Sequence, residues 1–153
     1  MPVRDRPQMP EGYGISKEET PDMRSWQSVE DQLTVSHNYW IGTTRPDGRP
    51  HAMPVWGLWL DGAFYFGTDP ESIKGRNIAH QPYITMHLES GDDVVVVEGV
   101  AELMTDPDEI KRYTDEYDAK YSVRPEGGFV VRPKVVLAWG EKDFPTSATR
   151  FRF

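Results

Sequence analysis

Between residues 39 and 67 the chain carries two tight-turn signals, Arg45-Pro-Asp-Gly48 and Asp61-Gly62, each flanked by β-branched and aromatic residues. Proline presets φ, and glycine accepts the positive φ that such turns need. Asp-Gly between apolar runs is among the strongest local hairpin signals. Links this short leave no room for a crossover, so the segments 39–44, 49–60 and 63–67 must be antiparallel neighbours. This meander constrains the fold more than any other feature.

Helices are expected around it. Ser25 is an N-cap for a helix with the stripe Trp26, Val29, Leu33, ending near residues 36–38. Thr68-Asp-Pro-Glu71 has a capping residue, a proline and an early carboxylate, so it reads as a second helix start, with the helix reaching about His80. Thr105-Asp-Pro-Asp-Glu109 repeats the signal, and Ile110, Tyr113, Tyr117 and Tyr121 give the third helix one apolar face. Three more strand-like segments cover 83–89, 94–104 and 130–139. The expectation is a mainly β fold of six antiparallel strands with three peripheral helices, closed into a barrel to remove exposed edges. Residues 1–24, with Pro2, Pro7, Pro10 and Pro21 among many charges, read as a tail that wanders or lies along the surface. That leaves 25–153 as the domain.

The bulk numbers narrow the function. A chain of 153 residues suits one core, and a formal net charge of −8 repels phosphate backbones, so nucleic acid is not an expected partner. The longest purely apolar run, Val94 to Val97, is far too short to span a bilayer, and residues 1–8 lack the apolar stretch of a signal peptide. With no cysteine there is no disulfide framework and no thiolate chemistry, which fits a cytoplasmic protein. His37, His51, His80 and His87 show no zinc-like spacing, so no metal is expected. No Ser–His–Asp set, carboxylate pair or phosphate-binding glycine loop is visible.

Four segments carry a resemblance: Tyr39 to His51, Met53 to Gly62, Thr68 to Asn77, and Ala148-Thr-Arg-Phe-Arg-Phe153. In this order and spacing the chain resembles the pyridoxamine 5'-phosphate oxidase-like superfamily of flavin and deazaflavin oxidoreductases. The resemblance implies a homodimeric six-stranded split β-barrel, with FMN or coenzyme F420 held in grooves between subunits. By position, Met53, Pro54, Val55 and Trp56 would line the ring, while Thr68, Lys74, Arg76 and Asn77 would hold the phosphate. Trp139 and Arg150 are the residues implied to come from the partner subunit. The implied activity is transfer of a hydride or electron pair to or from a small planar substrate, with backbone amides near 54–57 bonding the pyrimidine end of the ring. Pyridoxamine-phosphate oxidases usually carry a longer, arginine- and histidine-rich C-terminal segment. The short ending Arg150-Phe-Arg-Phe153 departs from that pattern and puts this substrate in doubt. The alternative is a non-catalytic binder that sequesters or senses flavin, F420 or haem, with His51, His80 or His87 asked to serve a haem. A barrel that has lost its cofactor is a third reading.

The residues agree with the resemblance in part. Lys74 supplies a point charge, Arg76 a planar fork and Thr68 a hydroxyl to a phosphate. Asp69 and Glu71 sit in that same first turn and would repel an anion unless they face away. Lys74 and Arg76, two apart, cannot share one helix face closely. Taken without the resemblance, both are ordinary solvated helix surface. Trp56 and Trp59 are an odd number apart and point to opposite faces of a strand, so one of them is buried or at an interface. Arg45, Arg49, Arg76 and Arg150 are candidates for a basic track matching the acidic tail of F420.

Overall fold

The computed structural model describes residues 1–15 and 17–153. Its elements run β1 (Val3–Asp5), a 3-10 turn (Glu11–Tyr13), α1 (Trp26–Val35), β2 (Tyr39–Thr44), β3 (Pro50–Val55), β4 (Gly57–Leu60), β5 (Ala63–Phe66), α2 (Ile73–His80), β6 (Tyr83–His87), β7 (Asp93–Leu103), α3 (Pro107–Tyr121), β8 (Phe129–Gly140) and β9 (Thr149–Arg152).

The six expected strands form one closed ring, with all pairings antiparallel. β3 pairs with β2, β2 with β6, β6 with β7, β7 with β8, β8 with β5 and β5 with β4. The chain itself closes the ring, because β3 and β4 are one stretch interrupted at Trp56. The expected strand 49–60 thus becomes two, each serving a different neighbour. β8 divides its edge in the same way: residues 129–131 pair with β5, and residues 135–138 with β9. Pro133 lies between, where a missing N–H suits a change of partner. Opposite it, β7 slips register at Glu98/Gly99. Such bulges bend and twist a strand, as a barrel corner requires.

Two strands lie outside the ring. β9 extends the edge of β8, and β1 adds to β9. The N-terminal segment is therefore part of the sheet. It is fastened by Arg6, a buried guanidinium that donates to the carbonyls of Thr146, Ala148 (2.9 Å) and Glu18 (3.3 Å) and to the Thr20 hydroxyl (2.7 Å). The sequence showed none of this, because a three-residue edge strand has no periodicity to read.

Strand alternation builds two cores. Ile41, Phe64, Phe66, Val95, Val97, Val131, Val136 and Phe151 fill the barrel, which α1 plugs with Val29 and Leu33. Leu58, Tyr65 and Val130 point outward beneath the tyrosine face of α3: Tyr113, Tyr117 and Tyr121. Trp59 is the buried member of its pair, with its indole N–H donating to Glu30 at 3.2 Å, whereas Trp56 is 41% exposed. Ser25 caps α1 as expected, its hydroxyl accepting from the Ser28 N–H. Asp106 caps α3.

The start of α2 differs from expectation. Its cap is Ser72, whose hydroxyl accepts from the Gly75 N–H at 3.1 Å. Residues 68–71 form a turn instead: Asp69 accepts the Glu71 N–H on its side chain and the Ser72 N–H on its carbonyl, each at 2.9 Å. A carboxylate that bonds the backbone two residues on favours a turn over a helix. Gly75 seats the helix on this turn, since a Cβ there would lie 2.4 Å from the Pro70 carbonyl oxygen.

Candidate functional site

The strand β3 is an edge, paired on one side only. Pro50, Ala52, Met53 and Pro54 are all exposed. Prolines fit such an edge because no partner claims their missing N–H. The two ends of β3 meet different chemistry.

At its start, the turn after β2 and the face of α2 enclose a groove of roughly 360 Å³, lined by Arg45, Pro46, Asp47, Arg49, Ile73, Arg76 and Asn77. Asp47 is the single carboxylate in that lining, and it pairs with Arg49 at 2.8 Å. Lys74, the second residue of α2, is half-buried and acts electrostatically on His51 of β3, as does Arg45. The correction at α2 moves Asp69 and Glu71 out of the helix, so Lys74 and Arg76 belong to its first turn, where the helix dipole favours an anion. Arg76 shares the groove lining with Arg45, whereas Lys74 is not among the lining residues.

Thr68 and Asn77 have internal roles. The Thr68 hydroxyl is hydrogen-bonded to Ser72 at 3.0 Å, beside the cap of α2. Asn77 is buried, and its amide donates to the Thr43 hydroxyl at 3.0 Å, which ties α2 to β2. Both shape the groove through these bonds. Arg45 completes the lining of this groove, whereas His51, opposite Thr43 in register, lines a separate pocket with Tyr83, Glu98 and Lys134. No local sequence signal carries this, since it depends on which strand the turn folds back upon.

At its other end, β3 meets a closed knot. Lys120 on α3 donates to the carbonyls of Ser36 and Gly57 (3.0 Å) and to the Tyr39 hydroxyl (3.0 Å). Its ammonium also lies 5.0 Å and 5.1 Å from the centroids of Tyr39 and Tyr121. Burial lowers its pKa to about 8. The Tyr121 hydroxyl accepts the Gly57 N–H (3.0 Å) and donates to the Gly57 and His37 carbonyls (2.8 Å each), and burial pushes its pKa up to about 12. Side chains of α3 thus replace the strand partners that Gly57 lacks where the ring splits. Trp56 stacks flat on Tyr121, centroids 4.7 Å apart and planes within 5°, with the His37 ring edge-on at 5.3 Å. Pro54 has no N–H, and that of Gly57 is taken. Of the amides expected near 54–57, at most Val55 and Trp56 remain to serve a ring.

Trp139 and Arg150 lie elsewhere. Register places Pro54, Trp40, His87, Val96, Leu137 and Arg150 in one outward-facing row across the sheet, with Trp139 beside Val94 on the same face. Trp40 and His87 are parallel at 6.3 Å. Arg150 makes a two-pronged ion pair with Asp5 (2.8 and 2.9 Å), which holds the Asp5 carboxyl below its usual range. Within one chain neither residue reaches the α2 groove, since three strands separate β8 from β3 and four separate β9 from β3 in the sheet order.

A family model described as pyridoxamine 5'-phosphate oxidase matches residues 26–140, which takes in β2, β3, α2 and the α3 knot. The chain belongs to that family. A pyridoxine/pyridoxamine 5'-phosphate oxidase of Bacteroides thetaiotaomicron is 35% identical over 97 residues, covering 61% of this chain and 43% of that protein. The chain thus spans less than half the length of this curated relative. Among solved structures, a conserved hypothetical protein from Mycobacterium tuberculosis superposes with a TM-score of 0.70 at 23% identity, over 80% of this chain and 89% of the other. An F420 reductase superposes with a TM-score of 0.58 at 24% identity, over 70% and 94%. At these identities the two structures speak for the split-barrel fold alone. No helix among the described residues is long and apolar enough to cross a membrane.

The groove suits a phosphorylated ligand. Three arginines surround a space with one carboxylate, and that carboxylate is already paired with Arg49.

Proposed function

We propose that this protein is an oxidoreductase that binds a phosphorylated flavin or deazaflavin along β3 and passes a hydride between it and a small planar substrate. The observation that carries the reading is the groove at the start of β3, where Arg45, Arg49 and Arg76 gather around one carboxylate with Lys74 close by. In this reading Lys74 and Arg76 hold the phosphate, and Thr68 and Asn77 shape its seat. Met53, Pro54, Val55 and Trp56 line the ring on the exposed strand edge. The bound ring supplies the hydride chemistry. The chain's own part is to anchor the anionic end, expose one ring face and present Trp56 as a rigid aromatic wall.

Between the two cofactors, the groove favours F420. One phosphate needs one or two cations, whereas three arginines and a lysine match a ligand with several anionic groups. FMN is the second reading, favoured by the family match. A homodimer completes the site: the half-exposed row from Pro54 to Leu137 gives an apolar face for a second copy, which would carry Trp139 and Arg150 to the groove of the first. Such an interface should bury more than about 2,000 Å² in total. Residues 25–153 then act as the cofactor-binding unit, with the first 24 braced against β9.

Spectroscopic titration tests the reading. F420 should bind more tightly than FMN, and FMN at least tenfold more tightly than riboflavin, because a charge-assisted hydrogen bond contributes about 1.5–3 kcal/mol. Equal affinity for FMN and riboflavin, together with equal affinity for F420 and its dephosphorylated form, would overturn the phosphate role of the groove. Light scattering that returns one chain's mass at micromolar concentration would overturn the shared site.

A further inference from the structure

Trp56 is an exposed tryptophan held in one orientation. It stands at the interruption between β3 and β4, and 41% of its surface is open. One face of the indole lies on the Tyr121 ring, centroids 4.7 Å apart and planes within 5°, and the His37 ring meets it edge-on at 5.3 Å. Tyr121 is fixed in its turn. Its hydroxyl bonds both backbone groups of Gly57 and the His37 carbonyl. Its ring centroid lies 4.7 Å from that of Tyr117 and 5.2 Å from that of His37. A lone surface indole is free to change rotamer. Here the phenol, the imidazole and the anchored backbone of the next residue remove that freedom, so the open part of the indole presents one flat face in a fixed plane. Met53, 44% exposed, and Pro54 precede it on the open edge of β3 and extend the apolar surface.

We propose that Tyr121 is a positioning residue of the ring site: it holds the Trp56 indole flat, so that this end of β3 selects a conjugated planar ring laid parallel to the indole, independently of ligand charge. The proposal rests on the cofactor reading above and adds what selects the ring. The physical reason is preorganisation. Stacking on an indole gains less when the indole must first surrender its own rotation, and a side chain already held by its far face has little rotation left to lose. Aromatic rings prefer offset parallel contact, and the Tyr121–Trp56 pair sets a geometry that a third ring continues. The stack is remote from the anionic end of the ligand, since Arg45, Arg49 and Arg76 line the groove at the start of β3. Charge and planarity are thus read at opposite ends of one strand. Tyr121 itself touches no ligand and acts through Trp56.

The test is titration of F420, FMN and riboflavin against a double-mutant cycle of Trp56→Leu and Tyr121→Leu, with Tyr121→Phe alongside and a melting temperature for each sample. Riboflavin carries the ring of FMN without its phosphate. Trp56→Leu should weaken all three ligands about fivefold, the scale of one aromatic stack, and leave the FMN-to-riboflavin affinity ratio unchanged. Tyr121→Leu should cost the same on the wild-type background and nothing further on Trp56→Leu, because its effect passes through the indole. Tyr121→Phe keeps the ring and loses the hydroxyl, so it should lower the melting temperature while affinity stays close to wild type. Should Tyr121→Leu fail to fold, Tyr121→Gln, which removes the ring but keeps a hydrogen-bonding group for Gly57, takes its place in the cycle. Additive losses in the double variant, or a Tyr121→Phe loss as large as that of Tyr121→Leu, overturns the inference while the cofactor reading stands. Unchanged binding in Trp56→Leu does the same. Should F420 and FMN fail to bind while riboflavin binds and depends on Trp56, the phosphate groove falls and the aromatic wall stands. No binding of any of the three overturns both.

Discussion

Both ends of β3 carry positive charge, a single Lys120 at the far end and several arginines at the near end, yet they are built to opposite ends. At the far end Lys120 points every N–H at an acceptor: Ser36, Tyr39 and Gly57. The Tyr121 hydroxyl is likewise fully engaged. At the near end Arg76 is exposed, Lys74 is half-buried and His51 carries a nitrogen with no partner. The difference lies in hydrogen-bond valence: a closed set holds the backbone where the barrel splits, and an open set leaves donors unused, as the proposed binding site requires.

Lys120→Met should break the closed end. It removes three hydrogen bonds and leaves the Gly57 and Ser36 carbonyls short of a donor, so a loss of about 2–4 kcal/mol of stability is expected by chemical denaturation. Its pH signature is distinctive. The folded pKa of Lys120, about 8, lies below its ordinary value, so the folded state holds fewer protons than the unfolded one above pH 8. Wild-type stability relative to Lys120→Met should therefore rise from about pH 8 to about pH 10. A flat difference across that window would mean that the ammonium is not caged.

Lys74→Ala probes the open end and should do the reverse. Cofactor affinity should fall at least tenfold, with stability kept within about 0.5 kcal/mol, since alanine is the better helix former. Unchanged affinity on an intact fold would make Lys74 ordinary surface and leave Arg45 and Arg76 as the anchors. Arg76→Ala should have a smaller effect, about threefold on FMN but greater on F420, with a weaker salt dependence. Equal losses for the two ligands would remove the case for a polyanionic tail. Asp5→Asn, remote from both ends, should cost less than about 1 kcal/mol because its ion pairs are partly solvated. A large loss of cofactor binding there would show that the N-terminal strand presents Arg150 to the partner's site.

Much of the site's frame was legible from local signals. Trp56 and Trp59 separated by the parity of strand positions, and the α3 tyrosine stripe was visible as one face. Its last member was read as core, and its role as a clasp on Gly57 went unseen. A glycine in a strand hinted at close approach there: a Cβ on Gly57 would lie 2.4 Å from the Phe64 ring. Thr68 was mistaken for the cap of α2 because Thr-Asp-Pro-Glu and Ser-Ile-Lys-Gly both offer a capping side chain. The Asx turn at Asp69 decided between them.

By itself the sequence determined the staves and their directions. Tight turns such as Asp61-Gly62, where φ is +49° and +77°, and side-chain caps such as Ser25 act within a few residues, so composition and spacing specify them. Only the tertiary structure decided where the ring splits, at Trp56 and near Pro133, and that residues 3–5 join the sheet. It also decided that Arg45, Arg49 and Arg76 converge on one groove while Arg150 is held by Asp5. Those outcomes depend on long-range register and on which polar groups find partners, and both are settled only when distant segments pack together.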